Sequence, residues 1–170
     1  RPFDPDLMVV DLESRDRMGA IKELVDRLHH SGYVDDSLSF LQSVLDREDL
    51  ETTVIGDGVA FPHARGRSVT RLGVAVGISR EGIRYGRLEQ VRFIVLLAVP
   101  HQDSAYLQRM AELSSVFRID DFRSKLSRCA DAEEMADSLV IGVSRALTAR
   151  SKLQDSHAGD VRVTLEAGRS

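Results

Sequence analysis

Met18, Ile21, Leu24, Val25 and Leu28 recur at the spacing of one helix face. Asp16 stands before them as an N-cap, and Gly32 follows where such a helix ends. Leu38, Leu41, Val44 and Leu45 repeat the period behind Asp35-Asp36 and predict a second helix to about Glu48. The character changes at Thr52. Thr53 to Ile55, then Gly56 and Gly58, then Val59 to Phe61 read as β-structure broken by a tight glycine turn. Leu72 to Ile78 and Val91 to Val99 are the principal strands, the second continuously apolar from Phe93 onward, as a strand buried on both faces would be. Gly82 to Gly86 predicts a short hairpin strand between them, and Leu7 to Val10 suits an edge strand.

Helical period returns with Leu107, Met110, Leu113 and Phe117, behind Asp103 or Ser104 as cap. It appears again in Met135, Leu139, Val143 and Leu147, where Asp131 and Glu134 have capping-box spacing. Beyond Arg150 only a weak alternation at Val161, Val163 and Leu165 remains. The order helices, sheet, helices predicts one α/β domain over residues 1–149, with 151–170 a polar tail that is disordered or pairs with another chain.

Composition narrows the partners. The 170 residues carry 23 basic and 27 acidic side chains, a formal charge of −4, where a nucleic-acid binder would show a basic excess. Six Phe, three Tyr and no Trp speak against a stacking surface for bases or sugars. A single Cys makes no internal disulfide. Cys129 shares a helical spacing with Phe122 and Leu126 and reads as a small core residue. The most apolar run, Phe93 to Pro100, is less than half the length a bilayer requires, so no membrane insertion is expected. No signal peptide is visible at the start, and the default location is the cytoplasm. The chain begins at Arg1 rather than Met, as an excised piece of a longer protein would.

Of the five histidines, His29 and His30 fall in the last turn of the first helix, where a cation suits the helix dipole. Neither a Cys pair nor a His-Glu-x-x-His helix occurs, so no metal site and no cofactor is expected. Gly56-Asp57-Gly58 lacks the pattern of either common phosphate-binding loop, and no G-x-S-x-G elbow occurs. His63 is different. Pro62 before it fixes its own φ and restricts Phe61, so the histidine is held stiffly just beyond a strand, between Gly58 and Gly66. A neutral imidazole can attack phosphorus through one nitrogen if an acceptor holds the N–H of the other. Phosphoryl transfer then needs positioning and positive charge, for which Arg47 and Arg65 are the local candidates.

The segment Arg47-Glu48, then Thr52-Thr53-Val54-Ile55-Gly56-Asp57-Gly58-Val59-Ala60-Phe61-Pro62-His63-Ala64-Arg65, resembles the enzyme IIA domain of the phosphoenolpyruvate-dependent phosphotransferase system, in its fructose/mannitol and nitrogen-regulatory class. The likeness extends over roughly residues 5 to 145. It implies a mixed β-sheet flanked by helices on both sides. It also implies that His63 is the phosphorylated histidine, taking its phosphoryl group from the phosphocarrier protein HPr and passing it to a IIB partner. Arg47 matches the arginine that supports the phosphoryl group, and Asp57 falls where some members carry an acidic residue near the site. One position departs from the pattern. Many members place a second histidine in a His-Leu pair near the start of the helix after Ala-Val-Pro, and here the pair reads Tyr106-Leu107. Tyrosine can donate a hydrogen bond to a phosphoryl oxygen but carries no positive charge. His101, in the loop after Pro100, is the nearby auxiliary candidate.

Two functions follow as expectations. One is a phosphocarrier using His63. The other is a regulatory docking domain of a transporter or transcriptional regulator, toward which Tyr106 and the extra residues 151–170 lean.

Overall fold

The computed structural model describes residues 2–87 and 89–167, with side chains through residue 156. Pro5–Leu7 form a short 3-10 turn capped by Asp4 and lead into β1 (Met8–Val9). Two helices follow, α1 (Arg17–His30) and α2 (Ser37–Leu50), then β2 (Val54–Gly56), β3 (Val59–Ala60), β4 (His63–Gly66), β5 (Gly73–Arg84) and β6 (Gln90–Pro100). Three helices complete the chain: α3 (Tyr106–Phe117), α4 (Asp120–Ser127) and α5 (Ala132–Ala167).

The expected caps are present. Asp16 accepts the Gly19 N–H at 2.7 Å, Asp36 that of Ser39 at 3.1 Å, and Asp131 that of Glu134 at 2.9 Å. Glu134 reaches back one residue further than a standard capping box, to the Ala130 N–H at 2.9 Å. Before α3, Asp103 Oδ1 accepts the N–H groups of Ala105 and Tyr106.

Among the described residues the strands make one six-stranded mixed sheet, ordered β1-β5-β6-β3-β2 with β4 also on β6. β1 sits at the edge in parallel with β5, as its short apolar patch predicts. β5 and β6 are antiparallel, and β3 and β4 both run parallel to β6. The pairings Ala60 with Ile94 and His63 with Leu97 keep one register, so β3 and β4 form a single line interrupted only at Phe61-Pro62. Pro62 has no N–H to give, but its carbonyl still accepts from Leu97 N at 3.0 Å.

Strand alternation separates the two faces of the sheet. A side chain at Gly73 would strike Leu28 and Tyr33, so the face of Gly73, and of Ala98 and Ala64 in register with it, meets α1. The opposite face holds Phe93, which packs on Phe117 of α3 with ring centres 6.0 Å apart. Phe117 also meets Phe61 at 6.0 Å and Phe122 at 5.2 Å, which makes it the hub of the core on that side. Helices thus cover both faces, as expected.

Some details differ from the sequence reading. The buried meridian of α2 is Phe40, Val44 and Glu48, while Leu38 is exposed. The residues of i, i+4, i+8 spacing face inward, and one of them is charged. The expected hairpin strand at Gly82–Gly86 is instead the end of β5, carried past a register shift between Ile78 and Ile83. A bulge absorbs the polar Ser79-Arg80-Glu81 step, with Ser79 Oγ accepting the Gly82 N–H at 3.1 Å, so the strand need not stop. Finally, the backbone of α5 runs without a break past residue 149 to Ala167. The weak alternation at Val161, Val163 and Leu165 falls within that helical span, and those side chains lie outside the described ones.

Candidate functional site

His63 opens β4 on the face that α3 covers, because it is in register with Leu97, on the same side as Phe93. Phe61 and Arg65, two residues either way, point to that face as well. Phe61 packs on Phe117 at the C-terminal end of α3. Arg65 stacks on Tyr106 at its N-terminal end, 4.6 Å from the ring centre. His63 therefore sits between two contacts that tie β4 to α3 along its length.

The His63 side chain is half-buried, and its Nδ1 lies 2.9 Å from the carbonyl oxygen of Phe61. A carbonyl is an acceptor only, so Nδ1 carries the proton in the neutral ring and Nε2 keeps its lone pair. The backbone of the stiff Phe61-Pro62 step thus supplies the acceptor that nucleophilic use of the ring requires. Phe61 is itself fixed: its ring is buried, and its N–H donates to the Thr53 carbonyl at 3.0 Å.

The other expected site residues divide. Arg65, His101 and Tyr106 come together: Arg65 Nη1 donates to the His101 carbonyl at 3.0 Å while its guanidinium lies over Tyr106. His101 enters this cluster through its backbone. Arg47 lies in the last turn of α2 and donates to the Glu51 carbonyl at 3.3 Å. Helix α2 packs against β4 from the side of Ala64, so Arg47 belongs to the layer opposite Arg65, and no hydrogen bond joins it to His63 among the described residues. Asp57 stands apart. It occupies the β2–β3 turn with a φ of 55°, between Gly56 and Gly58, and faces Arg123 of α4 at 3.8 Å. The Gly58 carbonyl accepts from Arg92 N, level with the start of β6. His63 is level with Leu97, five positions on, roughly 16 Å at strand rise.

His29 and His30 are structural, as expected: the first holds Val34 O at 2.9 Å, the second Asp26 O at 3.0 Å. Cys129 is buried. Among the described residues no cluster of His, Cys, Asp or Glu could hold a metal ion, and no helix is long and apolar enough to cross a membrane.

The chain's similarity to known proteins agrees with this layout. Residues 1–140 match the family model described as phosphoenolpyruvate-dependent sugar phosphotransferase system, EIIA 2. The chain belongs to this EIIA family. It is 31% identical over 125 residues to a fructose-specific EIIA component of Haloferax volcanii, a match covering 72% of this chain and 81% of that protein. It is 28% identical over 131 residues to the fructose-specific EIIABC component of Bacillus subtilis, covering 75% of this chain. The transcriptional regulator ManR of the same species is 30% identical over 125 residues. The match spans only about a fifth of those two longer proteins, 21% and 19%. Among solved structures, the nitrogen regulatory protein IIA-Ntr of Neisseria meningitidis superposes with a TM-score of 0.72 at 25% identity, over 81% of this chain and 95% of that one. The mannitol IIA of Escherichia coli superposes with a TM-score of 0.70 at 22% identity, over 81% and 98%.

Two features of this EIIA domain escape the sequence reading: the buried Glu48–Thr53 pair at the base of the site, and Arg123 as the partner of Asp57. The first had a signal. Glu48 stands i, i+4, i+8 with Phe40 and Val44, which places a carboxylate on the buried face.

Proposed function

We propose that this EIIA domain is a phosphocarrier in which His63 Nε2 takes a phosphoryl group from HPr and passes it to a IIB partner. The observation that carries this reading is the 2.9 Å contact from His63 Nδ1 to the Phe61 carbonyl, which leaves Nε2 as the nucleophile. The Nε2 lone pair forms the new N–P bond as the donor's bond to phosphorus breaks, its electron pair leaving with the donor. The proton on Nδ1 stays where it is, and the ring becomes cationic once phosphorylated. The Phe61 carbonyl steadies that cation. Arg65, on the same face and two residues away, has donors left over from its bond to His101 O for the equatorial oxygens. Arg47 would contribute across the open edge of β4. Onward transfer runs the same displacement in reverse, and the half-exposed His63 suits a site where two proteins dock in turn. Such a relay operates in the cytoplasm, where HPr is found.

Incubation with phosphoenolpyruvate, enzyme I and HPr tests the reading. Acid-labile phosphate should appear on the wild-type chain and be absent from a His63→Ala variant. An unlabelled wild type, or equal labelling of the variant, would sink it.

Tyr106 motivates a second reading, a docking domain that reports phosphorylation without passing it on. The first residue of α3 is stacked beneath Arg65 and offers no second imidazole. Here the labelled domain would fail to transfer to any IIB partner but would bind a regulator or transporter differently when phosphorylated. Pull-down with and without labelling separates the two.

A further inference from the structure

Behind His63 lies a buried polar group that phosphoryl transfer does not itself use. Glu48 is 4% exposed and Thr53 8%, and Thr53 Oγ1 donates to Glu48 Oε1. The second carboxylate oxygen of Glu48 is buried without a hydrogen-bond partner among the described residues. A polar or charged group buried in such a place is costly unless hydrogen bonds or an opposite charge compensate it. Thr53 does more than hold Glu48. Its carbonyl accepts the Phe61 N–H at 3.0 Å, and the Phe61 carbonyl in turn accepts from His63 Nδ1 at 2.9 Å.

We infer that Glu48 and Thr53 are positioning residues for His63: the Glu48–Thr53 hydrogen bond anchors the start of β2 to the last turn of α2, the Thr53 carbonyl fixes the Phe61 peptide, and that peptide sets which ring nitrogen of His63 carries the proton. The chain of contacts is continuous from the α2 layer to the nucleophile. Pro62 stiffens the last step, because the Phe61 peptide cannot rotate freely ahead of a proline. The inference rests on the phosphocarrier reading for its consequence, but the tautomer it predicts is a property of the unphosphorylated chain.

The test uses the whole chain and two readouts. Nitrogen-15 NMR of the His63 ring reports the tautomer, and the labelling reaction reports phosphoryl acceptance. Thr53→Val removes the hydroxyl at nearly constant shape. It should mix the two tautomers and slow labelling on the order of tenfold, the scale of a slightly misplaced nucleophile. Glu48→Gln keeps an acceptor for Thr53 and should preserve both readouts. If Thr53→Val fails to fold, a Glu48→Leu/Thr53→Val double variant, which leaves no orphaned carboxylate, carries the same expectation. A wild-type tautomer and wild-type rate in the folded variant would overturn the inference. An unlabelled wild type would overturn the phosphocarrier reading alone, with the tautomer still deciding the role of Glu48 and Thr53.

Discussion

The guanidinium of Arg65 lies 4.6 Å from the centre of the Tyr106 ring, joining the strand that carries His63 to the first residue of α3. Arg65 thereby gains a fixed direction without an acidic partner among the described residues, which leaves its charge uncancelled there. A carboxylate in the place of Tyr106 would hold the arginine as well but would repel a phosphoryl group.

That stacking predicts a measurable coupling. In a double-mutant cycle of Arg65→Ala and Tyr106→Ala, followed by urea unfolding, the interaction should be worth about 0.5–1 kcal/mol, the scale of an exposed cation–π contact. Tyr106→Phe keeps the ring and should retain the coupling. A coupling near zero would show that Arg65 is held by its bond to the His101 carbonyl alone.

Asp57 should be dispensable for chemistry. Its carboxylate faces Arg123 rather than His63, and the roughly 16 Å between the two positions exceeds the Debye length of about 8 Å at physiological salt. Asp57→Ala should label within about twofold of wild type for that reason. It should still cost about 1 kcal/mol in stability, because alanine is strained at the φ of 55°. Asp57→Gly should avoid that strain. Parallel labelling and urea melts check both halves.

Much of this arrangement is legible in the chain. Helix caps at Asp16, Asp36 and Asp131 are local chemistry, and the unbroken apolar run at Phe93–Val99 leaves little choice but a central strand. The stiff Phe61-Pro62-His63 step is equally local, and it points to His63 as the candidate nucleophile before any contact is seen. What the chain does not display is which face a helix turns inward when apolar residues occupy more than one. In α2 Leu38 competes with Phe40, and only packing on β4 decides for Phe40, Val44 and Glu48. Partners distant in sequence are hidden in the same way: Asp57 with Arg123, and Arg65 with His101 and Tyr106, meet through the fold alone. A family pattern placed Asp57 near the site, whereas its turn sits at the far end of the β3–β4 line.

Phe117 should be the most sensitive core position on the α3 face. It meets Phe61, Phe93 and Phe122 and is fully buried. Phe117→Ala should cost about 3–5 kcal/mol. Because Phe61 loses its packing partner, any folded fraction should also label more slowly than wild type. A denaturant melt read alongside the labelling rate tests this, and a loss under about 1 kcal/mol would show that the cluster is not the hub of the core.

Alkaline pH should unfold the protein partly through Tyr85. Its hydroxyl is buried beside Glu48 and Thr53. Burial first, and then the neighbouring Glu48 carboxylate, push its pKa well above the ordinary 10.0. The folded state thus keeps its proton where the unfolded chain gives it up. Stability is intact below the unfolded value and falls as pH rises through it toward the folded one. Urea midpoints should therefore drop above about pH 10, and Tyr85→Phe should flatten that drop while leaving stability at neutral pH unchanged or higher. An equally steep alkaline loss in the Phe variant would assign it to other groups.

The end of α5 bears on where the domain stops. Met135, Ala136, Leu139 and Val143 are buried, whereas Leu147 is 42% exposed and Leu153 62%. The apolar face that holds α5 to the domain is therefore spent by Val143 among the described side chains, although the helical backbone continues to Ala167. A helical stretch without tertiary packing adds little stability in water. A chain ended after Ala149 should melt within about 2 °C of the full chain, a shift that corresponds to no more than about 0.5–1 kcal/mol for a domain of this length. It should also accept phosphate at the same rate, because the His63 contacts all lie upstream. A markedly lower melting temperature would show that residues beyond 149 pack on the domain or on a second copy of the chain, and its dependence on protein concentration would separate those two cases.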